Sequence, residues 1–397
     1  MSSVMMGPFA TQILGDLGAD IIKVEPHSGD TTRHVGPMRT EAMGWVFLHA
    51  NRNKRSIVLD LKAAEGKAAL LKILAGSDAL VTNVRTKALQ RLGLDYETLS
   101  AINPRLIVMN LVGYGEDGPY AGRPAYEDLI QGATALPSLL VLAGSEAPHY
   151  VPLAFNDRAV GTSSAVSLLA AVLYRDRTGK GQQITIPMFE TMAQWVLGDH
   201  FGGATFEPPL GPPGYKRTLT KERRPYPTKD GLICSIIYTD KHWETFMGLI
   251  GQAQLFRDDP RFATIGTRTE HAQDLYAYVS RAMLERTTAE WVRILLDSDI
   301  PVAPLHTLDS LIEDEHLTAK NFLPVVEHPT EGAIRQVGIA GDWTASPPSI
   351  RRQPPRLGEH SLEILREAGV SAADIQALID KGVAVQAGPP KAVAPPE

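Results

Sequence analysis

Ile13-Leu-Gly-Asp-Leu-Gly-Ala-Asp-Ile-Ile-Lys-Val-Glu25 is the stretch that decides the fold. Phe9, Ile13, Leu14 and Leu17 recur at helical spacing, Gly18-Ala19-Asp20 breaks the period, and Ile21 to Val24 is a short apolar run of strand type. A helix is followed at once by a strand. Outward from there the same grammar repeats. Ser56 to Leu61 alternates as a strand, Ala63 to Ala75 is helical, Asp78 to Asn83 is again a strand, and Leu106 to Val112 is a further apolar β run. Strands alternating with helices predict an α/β domain around a mostly parallel sheet, with ligands at the carboxyl ends of its strands.

Farther along, Tyr150 to Phe155 reads as a strand, and Ala165, Leu168, Leu169, Val172 and Leu173 form a helical stripe that leads to a strand over Gln183 to Pro187. That predicts another βαβ unit, with Asp157 at its first corner. From about Thr228 the pattern changes to a strand pair around Asp230-Gly231, then helices opened by Thr267-x-x-Glu270 and Thr287-x-x-Glu290 capping boxes. The expected organisation is a large domain over 1–205, a linker over 206–227 and a smaller α+β domain over 228–325. A linker and C-terminal segment over 326–387 follow, and then a disordered tail over 388–397. Proline-rich stretches at Glu207 to Pro213 and Ser346 to Pro355 suit crossings between domains, because proline removes donors and stiffens extended chain.

With 397 residues, 44% of them apolar and 21% charged, the chain has the composition of a soluble enzyme large enough for two cores. Its net charge of −6 comes with basic residues scattered through every segment, so nucleic acid and anionic membrane are unlikely partners. The single cysteine, Cys234, cannot form an internal disulfide, and no basic n-region or spanning apolar run stands near the N-terminus. A cytoplasmic location is expected.

Gly113-Tyr-Gly115-Glu-Asp-Gly118 spells a dinucleotide fingerprint, but the Pro119 to Pro124 stretch after it does not start a helix smoothly, so a turn or substrate loop is expected there. The 11 histidines are scattered without metal-ligand spacing, and no metal is expected. No Gly-x-Ser-x-Gly elbow supports a hydrolase. Asp157 at a strand-to-helix junction could be a plain helix N-cap, or a carboxylate held ionised by the helix N-terminus and aimed into a cleft. Arg33, Asn51, Arg52, Lys54, Arg55, Asn83, Arg85 and Arg91 could cradle a phosphorylated ligand, although singly such groups are more often solvated.

At this point the residues resemble the family III coenzyme-A transferases, which include formyl-CoA transferase and carnitine CoA-transferase. The landmarks are Gly7-Pro8-Phe9, Gly18 to Glu25, Gly29-Asp30 with Arg33, Asn51-Arg-Asn-Lys-Arg-Ser56, Gly93-Leu-Asp-Tyr96 and Asn103-Pro-Arg-Leu106. They continue with Gly113-Tyr-Gly115, Asp157, Arg175 to Gln182, Asp259-Pro-Arg-Phe262 and Leu357-Gly-Glu-His360. The resemblance implies that Asp157 is the catalytic nucleophile and that Arg33, Asn51, Lys54, Asn83, Arg85 and Arg91 lie in loops contacting coenzyme A. It also implies a Rossmann-like large domain completed by the C-terminal segment, a small inserted domain and an interlocked homodimer. Coenzyme A and acyl-CoA are then substrates, with no permanently bound cofactor, and a carboxylic acid is the other partner.

Three departures accompany the resemblance. Met1 to Met6 is shorter than the strand that opens the family, the glycine-run loop has only Gly202-Gly203 and Gly211 to Gly214 as nearest matches, and the acyl pocket has no signature. The alternative within the fold is an α-methylacyl-CoA racemase, whose histidine has no counterpart in Arg123-Pro-Ala-Tyr-Glu-Asp128, where Glu127 or Asp128 would have to substitute. A non-catalytic acyl-CoA-binding protein is the remaining reading.

Overall fold

In the computed structural model, which describes residues 1–393, the opening helix and strand are α1 (Met6–Asp16) and β1 (Ile21–Glu25). Gly18, at φ 111°, makes the turn between them. There follow α2 (Trp45–Ala50), β2 (Lys54–Leu59), α3 (Ala64–Ala75), β3 (Ala79–Thr82), α4 (Thr86–Leu92), α5 (Tyr96–Ile102) and β4 (Ile107–Val112). Next come α6 (Glu127–Ala133), α7 (Leu136–Leu142), α8 (Phe155–Thr178) and β5 (Gln183–Pro187). β1 and β2 pair in parallel, as do β3 with β4 and β4 with β5. This is a mixed α/β fold with parallel sheet.

The described residues divide into two compact units, one of residues 1–130, 152–193 and 316–393, the other of residues 131–151 and 194–315. These boundaries differ from the expected linker at 206–227 and small domain at 228–325, because residues 131–151 and 194–205 also pack with the second unit. In the first unit, Ser361–Glu367 and Ala372–Asp380 are helices whose Ile364, Leu365 and Leu378 join Ile57, Leu70 and Val108 in one core. The strand Ala384–Val385 adds antiparallel to β2. Met1 to Ser3 run between β1 and β3. The Met1 amine donates to Val81 O at 3.0 Å, Lys23 Nζ donates to Ser2 O at 2.9 Å, and the Asn83 amide pairs with the Ser3 backbone.

Other expectations need correction. Tyr150 to Ala154 is irregular and Phe155 already opens α8, since β4 and β5 pair directly and leave no sheet edge between them, and Pro152 has no N–H to offer a ladder. The βαβ unit is therefore β4–α8–β5. Thr267 closes a capping box with Thr264 on the helix Ile265–Glu270, so Glu270 ends that helix, whereas the box of Thr287 and Glu290 stands where it was expected. Within the tail expected to be disordered, Lys391 O accepts the Glu41 N–H and Ala392 bridges Thr40, because residues 39–41 offer open backbone groups. Residues 394–397 of that tail lie outside the described residues.

Candidate active site

Asp157 is the third residue of α8, not a strand-end corner. The N-cap position belongs to Ala154, whose methyl side chain can satisfy none of the open N–H groups of the first turn. Glu127, the first residue of α6, does so instead. One of its carboxylate oxygens accepts the Asn156 N–H at 3.0 Å and the other accepts the Asp157 N–H at 2.8 Å. The capping job is thus done by Glu127, and the Asp157 carboxyl is left for other work.

What faces that carboxyl is the start of α1, whose Met6 N–H favours its ionised form. α1 and α8 come this close because Gly161 lies at their crossing, where a Cβ would stand 2.9 Å from Met6 O and 3.1 Å from the Phe9 ring. Ala10 and Leu14 of α1 are buried there, as are Ala165 and Leu168 of α8. α8 ends at Gly179, φ 75°, whose N–H returns to Arg175 O at 2.7 Å.

Burial, and next the neighbouring Glu127 charge, push the Asp157 carboxyl up to about 7, against the opposing pull of Arg158 and the Met6 N–H. Loss of solvent and a second carboxylate oppose the ionised state expected from the helix N-terminus, so that the group titrates near neutral pH.

Asp157, Glu127, Asn83, Arg85 and Gly113 line a cavity of about 390 Å³. Ser3, Asn83 and Val84 also border a larger one of about 890 Å³ beyond the carboxyl ends of β1, β2 and β3, where Pro26, Asp60, Lys62 and Arg91 stand. Both lie wholly in the first unit, so a long ligand could run along the strand ends and finish at Asp157.

Residues 1–361 match the family described as CoA-transferase family III. The chain belongs to that family. This CoA-transferase is 30% identical over 399 residues to an acyl-CoA transferase of Fusarium pseudograminearum, covering 96% of this chain and 86% of that one. To the formyl-CoA:oxalate CoA-transferase of Escherichia coli it is 30% identical, with 95% of each chain covered. Its fold matches the crystal structure of a CAIB/BAIF family protein from Brucella suis at a TM-score of 0.76 and 27% identity, over 93% of this chain and 97% of the other.

The side chains expected to meet coenzyme A separate into two sets in this CoA-transferase. Asn83, Arg85 and Arg91 border the cavities. Arg33, Asn51 and Lys54 do not. Arg33 is fully buried, with Glu25 at 2.7 Å, Pro355 O at 3.1 Å and the Phe47 ring beneath it. Lys54 is equally buried, and its ammonium donates to Pro8 O, Ala50 O and Asn51 Oδ1 at 2.7–2.8 Å, while the Asn51 amide donates to Phe47 O. Arg33 thus joins β1, α2 and the Pro355 segment, Lys54 and Asn51 tie α1, α2 and β2 together, and none of the three borders either cavity. Their described contacts are structural, and neither cavity brings them to the expected coenzyme A.

Exposed Lys62, three residues past the end of β2, borders the large cavity and was not singled out in the sequence, although the strand-end rule points to it. After β4 the glycine-rich turn leads to no helix before α6. It packs Tyr114 against Tyr120 and Phe189, and the Gly115 N–H donates to Glu190 at 2.8 Å. Gly203, in the second unit, has its N–H engaged by Pro212 O at 3.2 Å. Among the described residues no cluster of His, Cys, Asp and Glu could hold a metal ion, and no helix is long and apolar enough to cross a membrane.

Proposed function

We propose that this enzyme transfers coenzyme A from an acyl-CoA to a carboxylic acid through covalent intermediates on Asp157. The observation that carries this reading is the half-buried Asp157 carboxyl, free of the capping role and facing a cavity that adjoins the long groove at the strand ends. The nucleotide end of coenzyme A takes the larger cavity, with its phosphates near Lys62 and Arg91, and the pantetheine passes Ser3, Asn83 and Arg85.

The ionised Asp157 oxygen attacks the thioester carbonyl, the C–S bond breaks, and an acyl-aspartyl anhydride and CoA thiolate result. Thiolate attacks the aspartyl carbonyl, releases the first acid and leaves an aspartyl-CoA thioester. The acceptor carboxylate attacks that thioester to give a second anhydride, from which thiolate takes the new acyl group and restores Asp157. The Met6 N–H at the open end of α1, which already favours negative charge on Asp157, is the donor proposed for the oxyanions that form at the aspartyl carbon. Asp157 is suited to this role because a carboxylate poorly solvated by its site is the stronger nucleophile once ionised.

The α-methylacyl-CoA racemase reading needs a second base; of its candidates, Glu127 has both oxygens bound to backbone N–H groups of α8, and exposed Asp128 does not border the cavity that holds Asp157. The assembly proposed is the interlocked homodimer, acting in the cytoplasm. In its favour α8 leaves Val166 63% and Leu173 59% exposed, an apolar stripe wider than α1 can cover. The deciding experiment is incubation with an acyl-CoA, trapping by hydroxylamine or borohydride, and mass spectrometry of the digest. Modification at Asp157 alone supports the mechanism, and turnover with Asp157 unmodified refutes it.

A further inference from the structure

The buried arginines among the described residues of the first unit each hold a carboxylate. Arg33 has Glu25 at 2.7 Å, Arg52 has Asp16 at 2.7 Å, Arg175 has Asp78 at 2.6 Å, and Arg55 has Glu367 at 2.7 Å. Arg158 breaks the pattern. It follows Asp157 directly on α8, is half-buried, and lays its guanidinium 4.9 Å from the centre of the Phe9 ring. Among the described residues it forms no ion pair, and none of its side-chain N–H groups donates a hydrogen bond. Its positive charge is felt by His49, which is held below its ordinary value by burial first, then by the charges of Arg52 and Arg158, and which has Trp45 edge-on at 6.3 Å.

Successive helical side chains diverge by about 100°. Asp157 turns into the cavity that adjoins the groove at the strand ends, whereas neither Arg158 nor Phe9 borders that cavity. With the thiol partner of an acyl-Asp157 on the cavity side, the carbon chain is placed on the other side, towards Arg158, whose charge already acts on the Asp157 carboxyl. Arg158 stands one residue away, with its guanidinium over the Phe9 ring and its donors unused, an arrangement suited to binding a carboxylate in bidentate fashion.

We propose that Arg158 is the specificity-determining residue for the acyl group, receiving the remote carboxylate of a short dicarboxylic acid whose other carboxylate reacts at Asp157. This rests on the Asp157 reading above. The remote carboxylate is the better partner because it stays ionised through every step, while the reacting one gives up its charge as the anhydride forms. A monocarboxylic acyl chain of the same length would press methyl groups against a guanidinium and leave its donors unmet, which selects against it.

The test compares succinyl-CoA with butyryl-CoA, equal in chain length, as donors to one acceptor acid, with mass spectrometry of Asp157 in parallel. The native enzyme should favour succinyl-CoA in kcat/KM. Arg158→Met should lower the ratio of the two kcat/KM values about 10- to 100-fold, the size of a lost charge-assisted pair, and Arg158→Lys should restore part of it. A native preference for butyryl-CoA, or a ratio unchanged in Arg158→Met, overturns the proposal. Failure of the underlying reading looks different, since Asp157 would then stay unmodified while turnover proceeds with either donor. Calorimetry of glutarate and pentanoate with the CoA-loaded protein gives an arm independent of turnover. Glutarate binding should weaken in Arg158→Met relative to pentanoate, and an equal effect on both acids counts against the proposal.

Discussion

Glu127 accepts the backbone N–H of Asp157 at 2.8 Å while its charge helps push the carboxyl of that same residue up to about 7. One carboxylate therefore both holds the helix turn and tunes the group that the turn presents. Only ionised Asp157 can attack a thioester, so the rate of covalent labelling by acyl-CoA should rise with pH and level off above about 7. Glu127→Gln removes the charge but leaves the burial, so the midpoint should move down without reaching the ordinary aspartate range. The labelling rate measured from pH 5 to 9 checks both statements. A midpoint unmoved by Glu127→Gln would mean that burial alone sets it.

Asp157→Asn should lower transfer by about 10³-fold or more, the usual consequence of removing a nucleophile. Its effect on stability has a defined sign. A carboxyl raised in the folded state binds its proton more tightly there than in the unfolded chain, so the stability it contributes is present at low pH and lost as pH rises towards about 7. The asparagine variant escapes that loss. Its midpoint of thermal unfolding relative to the native protein should be higher at pH 8 than at pH 5, and the opposite trend would contradict the cited shift.

Arg33→Ala and Lys54→Ala should behave as core mutations. The first leaves Glu25 charged and buried, and the second leaves Pro8 O, Ala50 O and Asn51 Oδ1 without a donor, each a loss of about 3–5 kcal/mol. Denaturant titration should show it. Lys62→Ala and Arg91→Ala, on exposed sites, should leave the unfolding midpoint nearly unchanged. They should weaken CoA by about 10-fold and narrow its advantage over dephospho-CoA. Equal CoA affinity in all four folded variants would remove the proposed placement of the nucleotide.

Gly161→Ala places a methyl 2.9 Å from Met6 O, a backbone atom that can yield only if α1 moves. Overpacking of that kind costs about 1–3 kcal/mol. Because Met6 supplies the N–H that faces Asp157, the variant should lose labelling rate as well as stability. A variant that loses stability yet labels at the native rate would show that the α1–α8 crossing does not position the nucleophile.

The proposed homodimer should persist on dilution, since interlocked chains separate only by unfolding. Sedimentation at low concentration tests it, and a folded monomer would count against interlocking. Leu169→Glu and Leu173→Glu, on the exposed stripe of α8, should impair assembly more than they disturb a single folded chain.

By itself the sequence determined the alternation of strand and helix, because apolar period and turn residues act over a few neighbouring positions. β1, α3, β3, β4 and β5 therefore stand within a residue or two of their expected places, while Tyr150 to Phe155, with strand composition but no sheet edge to join, does not form a strand. Motif order along the chain was likewise enough to single out Asp157 as the candidate nucleophile. The tertiary structure decided what each charge does. Arg33, Lys54, Arg85 and Arg158 are alike as letters, but burial depends on which helices and strands close over a side chain from far along the sequence. Pro355 reaches Arg33 from more than three hundred residues away, Glu127 caps the helix that carries Asp157, and Arg158 is left beside the nucleophile with no carboxylate of its own among the described residues.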